Sequence, residues 1–335
     1  GWVYNWFCLD HVGYDYNPRR RDMGYHNIHD RYIELLDKYG KYKDDIQWHF
    51  HPMSHYKEAH RAGKSYEHSE TLYQILSRRI IDRNFFPSVF RAGCVTERPD
   101  ANWFLEQWIP FDCSNFAVEN ENKEQYRDQR NGQAGDWRRA PSDWRIYHPD
   151  FYDYQKEGGC HRSIGRFLNI VSRYGNITSY EIEKAFQRAN EGLPTLLGIF
   201  NHDFRNMGNE IEYFCDLLYD ISRKYNNVSF KFATAKEAFN AVLQNKLSEF
   251  DLNVRLKGNE LYVDTIKGCV FGPQPYLAIK TKSGKYIHDN FDFGLDGKSW
   301  SYVFDENMIK FEDVDTIGVA ANDMCGQVSL KCIKA

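Results

Sequence analysis

Several things are scarce in this 335-residue sequence. No apolar run is long enough to span a bilayer, which leaves no candidate transmembrane helix. There is no excess of basic residues: 43 Lys and Arg against 47 Asp and Glu give a formal net charge of −4. A phosphate-tracking surface is therefore not expected, and nucleic acid is set aside as a partner. The eight cysteines form no CxxC pair. Several sit in apolar runs such as Trp6-Phe7-Cys8-Leu9 and Tyr213-Phe214-Cys215, so buried thiols in a reducing, cytoplasmic setting are expected, although two disulfides remain compatible. No secretory signal opens the sequence, and since it starts almost inside its first strand, removal of an upstream segment stays open. The sequons at Asn176 and Asn227 are too common to decide a compartment. No internal repeat or low-complexity tract is present.

Aromatic residues are abundant, with 23 Tyr, 23 Phe and 8 Trp. They suit sugar stacking and core packing equally. The informative stretch is Ile46 to His55, IQWHFHPMSH. It reads as a buried strand running into a proline-led turn, with His49 and His51 on one face and His55 free to swing back toward the strand end. Four histidines in one short segment (His49, His51, His55, His60) point to a metal site, because imidazole is the commonest protein ligand for zinc.

Elsewhere, strands and helices alternate. Trp2–Leu9 reads as a strand ending in Asp10-His11, and His29 to Tyr39 as a helix stopped by Gly40. Ser69–Ile81 is a second helix, Phe86–Phe90 leads a strand into Arg91, Ala101–Trp108 is a helix, and Ile109–Asp112 a strand. Helices are expected over Ser179–Asn190, Glu210–Tyr225 and Ala235–Leu247, with strands at Leu196–Phe200 and Val228–Phe232. This alternation predicts a parallel α/β architecture. A polar insertion at about 119–160 interrupts it, and its Trp137, Arg138 and Trp144 suggest a substrate-binding lid or groove wall. After residue 248 short alternating runs predict a small antiparallel β-sandwich, giving domains 1–248 and 249–335.

Polar groups at successive strand ends converge on one face of such a sheet. Their order (Asp10-His11, His51-Pro52-Met53-Ser54-His55, Phe90-Arg91-Ala92-Gly93, Phe111-Asp112-Cys113-Ser114 and Phe200-Asn201-His202-Asp203) resembles the polysaccharide deacetylase family, the NodB-homology or carbohydrate esterase family 4 fold. Two departures stand out: histidine at position 11 replaces a ligating aspartate, and the arginine motif is reduced to Ala92-Gly93. The resemblance implies a distorted (β/α) barrel over 1–248 and removal of an N-acyl, most simply N-acetyl, group from an amino sugar or glycan. It implies zinc or another divalent transition metal on His11, His51 and His55, Asp10 as general base oriented by Arg91, and His202 as the acid, its imidazolium supported by Asp112. His49 is a further candidate ligand or a residue orienting one, while His60 and His68 belong to the following helix and loop. Alternatives are an amidohydrolase-type metal barrel using His148, His161 and Asp203, and an inactive carbohydrate-binding protein.

Overall fold

The computed structural model describes residues 1–11, 25–40, 43–51, 66–67, 69–118, 134–172 and 175–335, with His11 and Tyr25 entering by their backbone alone. His55, His60, His68 and positions 119–133 of the insertion lie outside the described residues.

Six strands form one parallel sheet in the order β1-β2-β3-β4-β5-β8, curved into a half-barrel. They are β1 (Asn5–His11), β2 (Asp45–His51), β3 (Val89–Ala92), β4 (Phe111–Asn115), β5 (Ser163–Asn169) and β8 (Gly198–Phe200), while two-residue β6 (Val171–Ser172) and β7 (Gly175–Asn176) pair only with each other. The connecting helices are α1 (Tyr25–Lys38), α2 (Glu70–Arg83), α3 (Pro99–Trp108), α4 (Ser179–Asn190), α5 (Met207–Ser222) and α6 (Ala235–Val242). Pro99 opens α3, where its missing N–H leaves no bond unmade. Asn84, in the left-handed region at φ 50°, closes α2 by returning its N–H to Arg79 and Ile80.

Two sequence expectations change. The fourth strand begins at Phe111 rather than Ile109, so Asp112 stands at its amino end and not on the rim where strands finish. Positions 228–232 form no strand; Phe232 there packs on Trp2 at a ring separation of 5.2 Å. β5, which the sequence hides, takes the next place in the sheet.

From Asp251 onward the chain forms two four-stranded antiparallel sheets. One has the order β13 (Asp292–Phe293), β14 (Ser299–Val303), β10 (Glu260–Lys267), β9 (Asp251–Lys257). The other has β12 (Tyr286–Asp289), β11 (Tyr276–Thr281), β15 (Val314–Asn322), β16 (Val328–Lys334). Their inner faces enclose Leu252, Leu261, Val263, Ile279, Trp300 and Ile317. The second sheet also packs outward. Tyr276, Ala278 and Ala320 join Trp48, Leu76, Ile80 and Phe104 in one continuous apolar core, so α2 is shared by both layers. Gly318 makes this approach feasible: a Cβ there would lie 2.5 Å from a methyl carbon of Ile80.

Candidate functional site

Sheet register decides which side chains share the concave face. In parallel neighbours, paired residues project to the same side and alternate along the strand. Leu9, His49 and Arg91 form one row; Asp10, Phe50 and Ala92 form the next, facing the opposite way. The backbone of His11 is paired with that of His51, one step further toward the rim.

On the concave face the structure brings His49 and His51 together, their Nε2 atoms 3.0 Å apart and the rings perpendicular. The Nδ1–H of His49 donates to the Arg91 carbonyl at 2.7 Å, which leaves its Nε2 with a lone pair. Burial, then the neighbouring His51 and Arg91, hold His49 well below the usual imidazole pKa, so it is neutral. A ring fixed by a backbone carbonyl with its other nitrogen presented is the arrangement that metal-ligating histidines adopt. Two nitrogens on a tetrahedral zinc at ~2.0–2.1 Å stand roughly 3.3 Å apart, close to what is seen. Among the described residues there is no group of three His, Cys, Asp or Glu able to hold a metal, and the pair offers two nitrogens.

The pair opens into a cavity of ≈ 1430 Å³, whose wall also includes Arg91, Cys94, Phe200 and His202. Cys94 follows β3 in the left-handed region, at φ 51°, a conformation that a non-glycine residue holds only under constraint. Its Sγ lies 4.0 Å from His51 Nδ1. The sequence reading missed Cys94; the signal available was a glycine-cysteine step directly after a strand, where tight turns expose side chains.

His202 follows β8 and accepts a hydrogen bond at Nδ1 from the Arg205 guanidinium at 3.0 Å. Arginine can only donate, so the neutral ring carries its proton on Nε2. Burial, with Arg91 and Arg205 adding repulsion, lowers its pKa to about 4. His202 is thus a neutral hydrogen-bond donor rather than the imidazolium that Asp112 was expected to support. Asp112 itself is fully buried elsewhere, bonded to Arg162, which also holds Glu97 at 2.7 Å, and accepting from the Ser114 N–H at 2.7 Å. Asp203 accepts from the Tyr32 hydroxyl at 2.9 Å, tying α1 to this rim.

Other expected site residues fall away from the cavity. Asp10, expected as general base, is on the convex side, where Arg79 donates to it at 2.7 Å and Trp48 Nε1 at 3.0 Å. That buried ion pair is structural, and Arg91 does not orient it. Trp137 and Trp144 are buried in the core, their indole N–H groups donating to the carbonyls of Val95 (2.7 Å) and Glu181 (2.8 Å), and Arg138 pairs with Asp136 at 2.7 Å. Trp137 and Trp144 are thus packing and not the wall of a substrate groove, whereas Phe151 and Tyr152 of the same insertion are exposed, beside Trp103 and outside the cavity. His148 bonds the Arg162 carbonyl at 3.0 Å and His161 pairs with Glu106 at 2.9 Å; both are exposed and outside the cavity, which removes the amidohydrolase-type set. None of the eight cysteines is in a disulfide.

No family model matches this chain, and no curated protein matches it. Among solved structures, a tetra-tandem repeat in the extending region of a large adhesion protein is similar over 26% of this chain at 17% identity with a TM-score of 0.19. The aligned part spans 23% of that protein's own chain, and a likeness this slight carries no argument. No helix among the described residues is long and apolar enough to cross a membrane.

Proposed function

We propose that this chain is a metal-dependent hydrolase that removes an N-acyl group, N-acetyl in the simplest case, from an amino sugar or glycan, on a NodB-like half-barrel. The observation that carries the reading is the His49–His51 pair: two Nε2 atoms 3.0 Å apart, with His49 set by the Arg91 carbonyl. His49 and His51 would hold the ion, with His11 in register beside His51 and His55 four residues further as candidates to complete the set. A bound divalent cation such as zinc supplies Lewis acidity for the acyl carbonyl and a more acidic water. His202, neutral and carrying its proton on Nε2, donates a hydrogen bond to the oxygen or nitrogen that gains charge as the amide is cleaved. The cavity accommodates a mono- or oligosaccharide, with Phe200 on its wall under the Arg91 guanidinium. The test is metal analysis of the purified chain followed by acyl release across a panel of N-acylated sugars. A metal-free protein that releases nothing after zinc, cobalt or manganese is added would end this reading.

A second reading follows from Cys94. Without a metal, the hydrogen-bond polarities line up: Cys94 S–H toward His51 Nδ1, His51 Nε2–H toward His49 Nε2, His49 Nδ1–H to the Arg91 carbonyl. The thiol sulfur would attack an acyl carbon while His51 takes its proton and passes it to the leaving amine; water then cleaves the thioester. Inactivation by iodoacetamide with insensitivity to chelator favours this reading, and the reverse favours the metal.

A further inference from the structure

The cavity wall carries a cation that has no counter-ion among the described residues. Arg91 is 7% exposed, its Nε is buried without a hydrogen bond, and among the described residues no carboxylate lies within ion-pair distance of its guanidinium. Other buried arginines here are treated differently. Arg79 has Asp10, Arg162 has Asp112 and Glu97, and Arg166 has Glu181. A buried charge without a partner is costly, and proteins retain one where a ligand completes it. The carboxylate of Asp112, whose field reaches Arg91, is already engaged by Arg162 and Ser114.

Geometry narrows what fits. The Arg91 guanidinium carbon lies 3.8 Å from the centre of the Phe200 ring, a contact that takes up no N–H donor, so the donors remain for an acceptor. Near it His202, whose Nδ1 is taken by Arg205, offers only a donor. Arg205 is itself paired with Glu210 at 3.1 Å, and Asp203, on the same cavity wall, is bonded to the Tyr32 hydroxyl and not to Arg91.

We propose that Arg91 anchors a carboxylate of the substrate, so that the compound acted on is an acidic one: an N-acylated amino sugar that also bears a carboxylate. The substrate class rests on the hydrolase reading above; the carboxylate at Arg91 stands on the unpaired guanidinium. A planar monoanion matches one guanidinium in charge and in its two-pronged shape, whereas a phosphate dianion would leave negative charge in excess within the cavity.

The experiment is a binding comparison on the full chain, with chelator present so that neither metal nor turnover is needed. Glucuronate, glucose and glucose 6-phosphate are titrated and followed by saturation-transfer NMR. Glucuronate is expected to bind at least tenfold tighter than glucose and tighter than the phosphate, with the advantage falling as salt is raised. Arg91→Gln should abolish the preference and Arg91→Lys restore part of it. Equal binding of glucose and glucuronate by the unaltered chain overturns the proposal whether or not either variant folds, as does a preference that survives in Arg91→Gln or tighter binding of the phosphate. Equal acyl release from neutral and acidic N-acetyl sugars would sink this proposal and leave the hydrolase reading standing. Glucuronate binding without any acyl release would do the opposite.

Discussion

Gly93 is what lets His51 take its place: a Cβ on Gly93 would lie 2.4 Å from the Cγ and Cδ2 atoms of the His51 ring. Real Cβ atoms do not approach this closely, so the absence of a side chain one residue past β3 creates the slot that the second imidazole fills. Glycine serves here through close approach rather than through an unusual φ. Gly93→Ala should push the ring away from His49 and weaken divalent-metal affinity about 10- to 100-fold, the scale of disturbing a ligand's orientation. Competition titration with a zinc indicator reads this; unchanged affinity would show that His51 is not a ligand.

Roles within the cavity separate by variant. His49→Ala and His51→Ala should each abolish stoichiometric metal, while His202→Ala should keep the metal and lose about 10²–10³-fold in kcat, the scale of removing one preorganised donor. Because His202 is neutral down to about pH 4, its contribution should be level between pH 5 and 8. A limb near pH 6.5 that disappears in His202→Ala would instead restore the imidazolium acid.

Much of the sheet could be read from the chain because apolar runs and helical spacing agree with it: Asp45–His51, Glu70–Arg83 and Ser179–Asn190 stand close to where periodicity puts them. β5 could not. Its sequence SIGRFLN follows Arg162 and contains Arg166, which read as polar loop until the tertiary partners Glu97, Asp112 and Glu181 neutralise them. Asp10 was misassigned for a related reason. Which face it takes depends on the register of β1 on β2, pairing Asp10 with Phe50 and not with His49, and no local pattern encodes that. Trp137 and Trp144 looked like lid residues because the segment around them is polar, yet both indoles find carbonyls in the core.

Asp10→Ala tests the structural assignment of that residue. Removing the carboxylate breaks the buried Arg79–Asp10 ion pair between the sheet and α2, at a cost of about 3–5 kcal/mol. Urea unfolding should show the loss, while metal content per folded molecule stays unchanged. A variant of unaltered stability that cannot turn over would return Asp10 to the catalytic machinery.

Acid sensitivity should come from buried neutral imidazoles. His29 (its Nδ1 3.6 Å from the Asp30 carboxylate, which only partly offsets burial), His202 and His288 each have their pKa lowered from 6.5 to about 4, chiefly by burial. Between those values the unfolded chain binds protons that the native chain refuses, so stability is full above pH 6.5 and falls as pH drops toward 4, by up to about 1.4 kcal/mol per pH unit for each ring. His29 is remote from the cavity pair and packs edge-on against Phe85 at 5.1 Å. His29→Leu should flatten the dependence by close to one proton, measured from urea midpoints at pH 7 and pH 5. An unchanged slope would mean that His29 is already protonated in the native state.

The sandwich is expected to be indispensable to the half-barrel. Tyr276 is fully buried against α2 and α3, its hydroxyl donating to the Tyr73 carbonyl at 2.7 Å and its ring 5.2 Å from that of Trp108. Asn322 Nδ2 donates to the carbonyls of Pro87 and Trp108, both at 2.8 Å, closing the same seam. Ending the chain at residue 248 would expose the outer faces of Leu76, Ile80 and Phe104 to water and leave those two carbonyls without their partner. Tyr276→Ala in the full chain should destabilise by about 3–5 kcal/mol, the range for emptying a large aromatic site in a core. The truncated chain should be insoluble or lack fixed tertiary structure by near-UV circular dichroism. If it instead folds with native stability and keeps its metal, the two layers are independent and the shared core is incidental to the site.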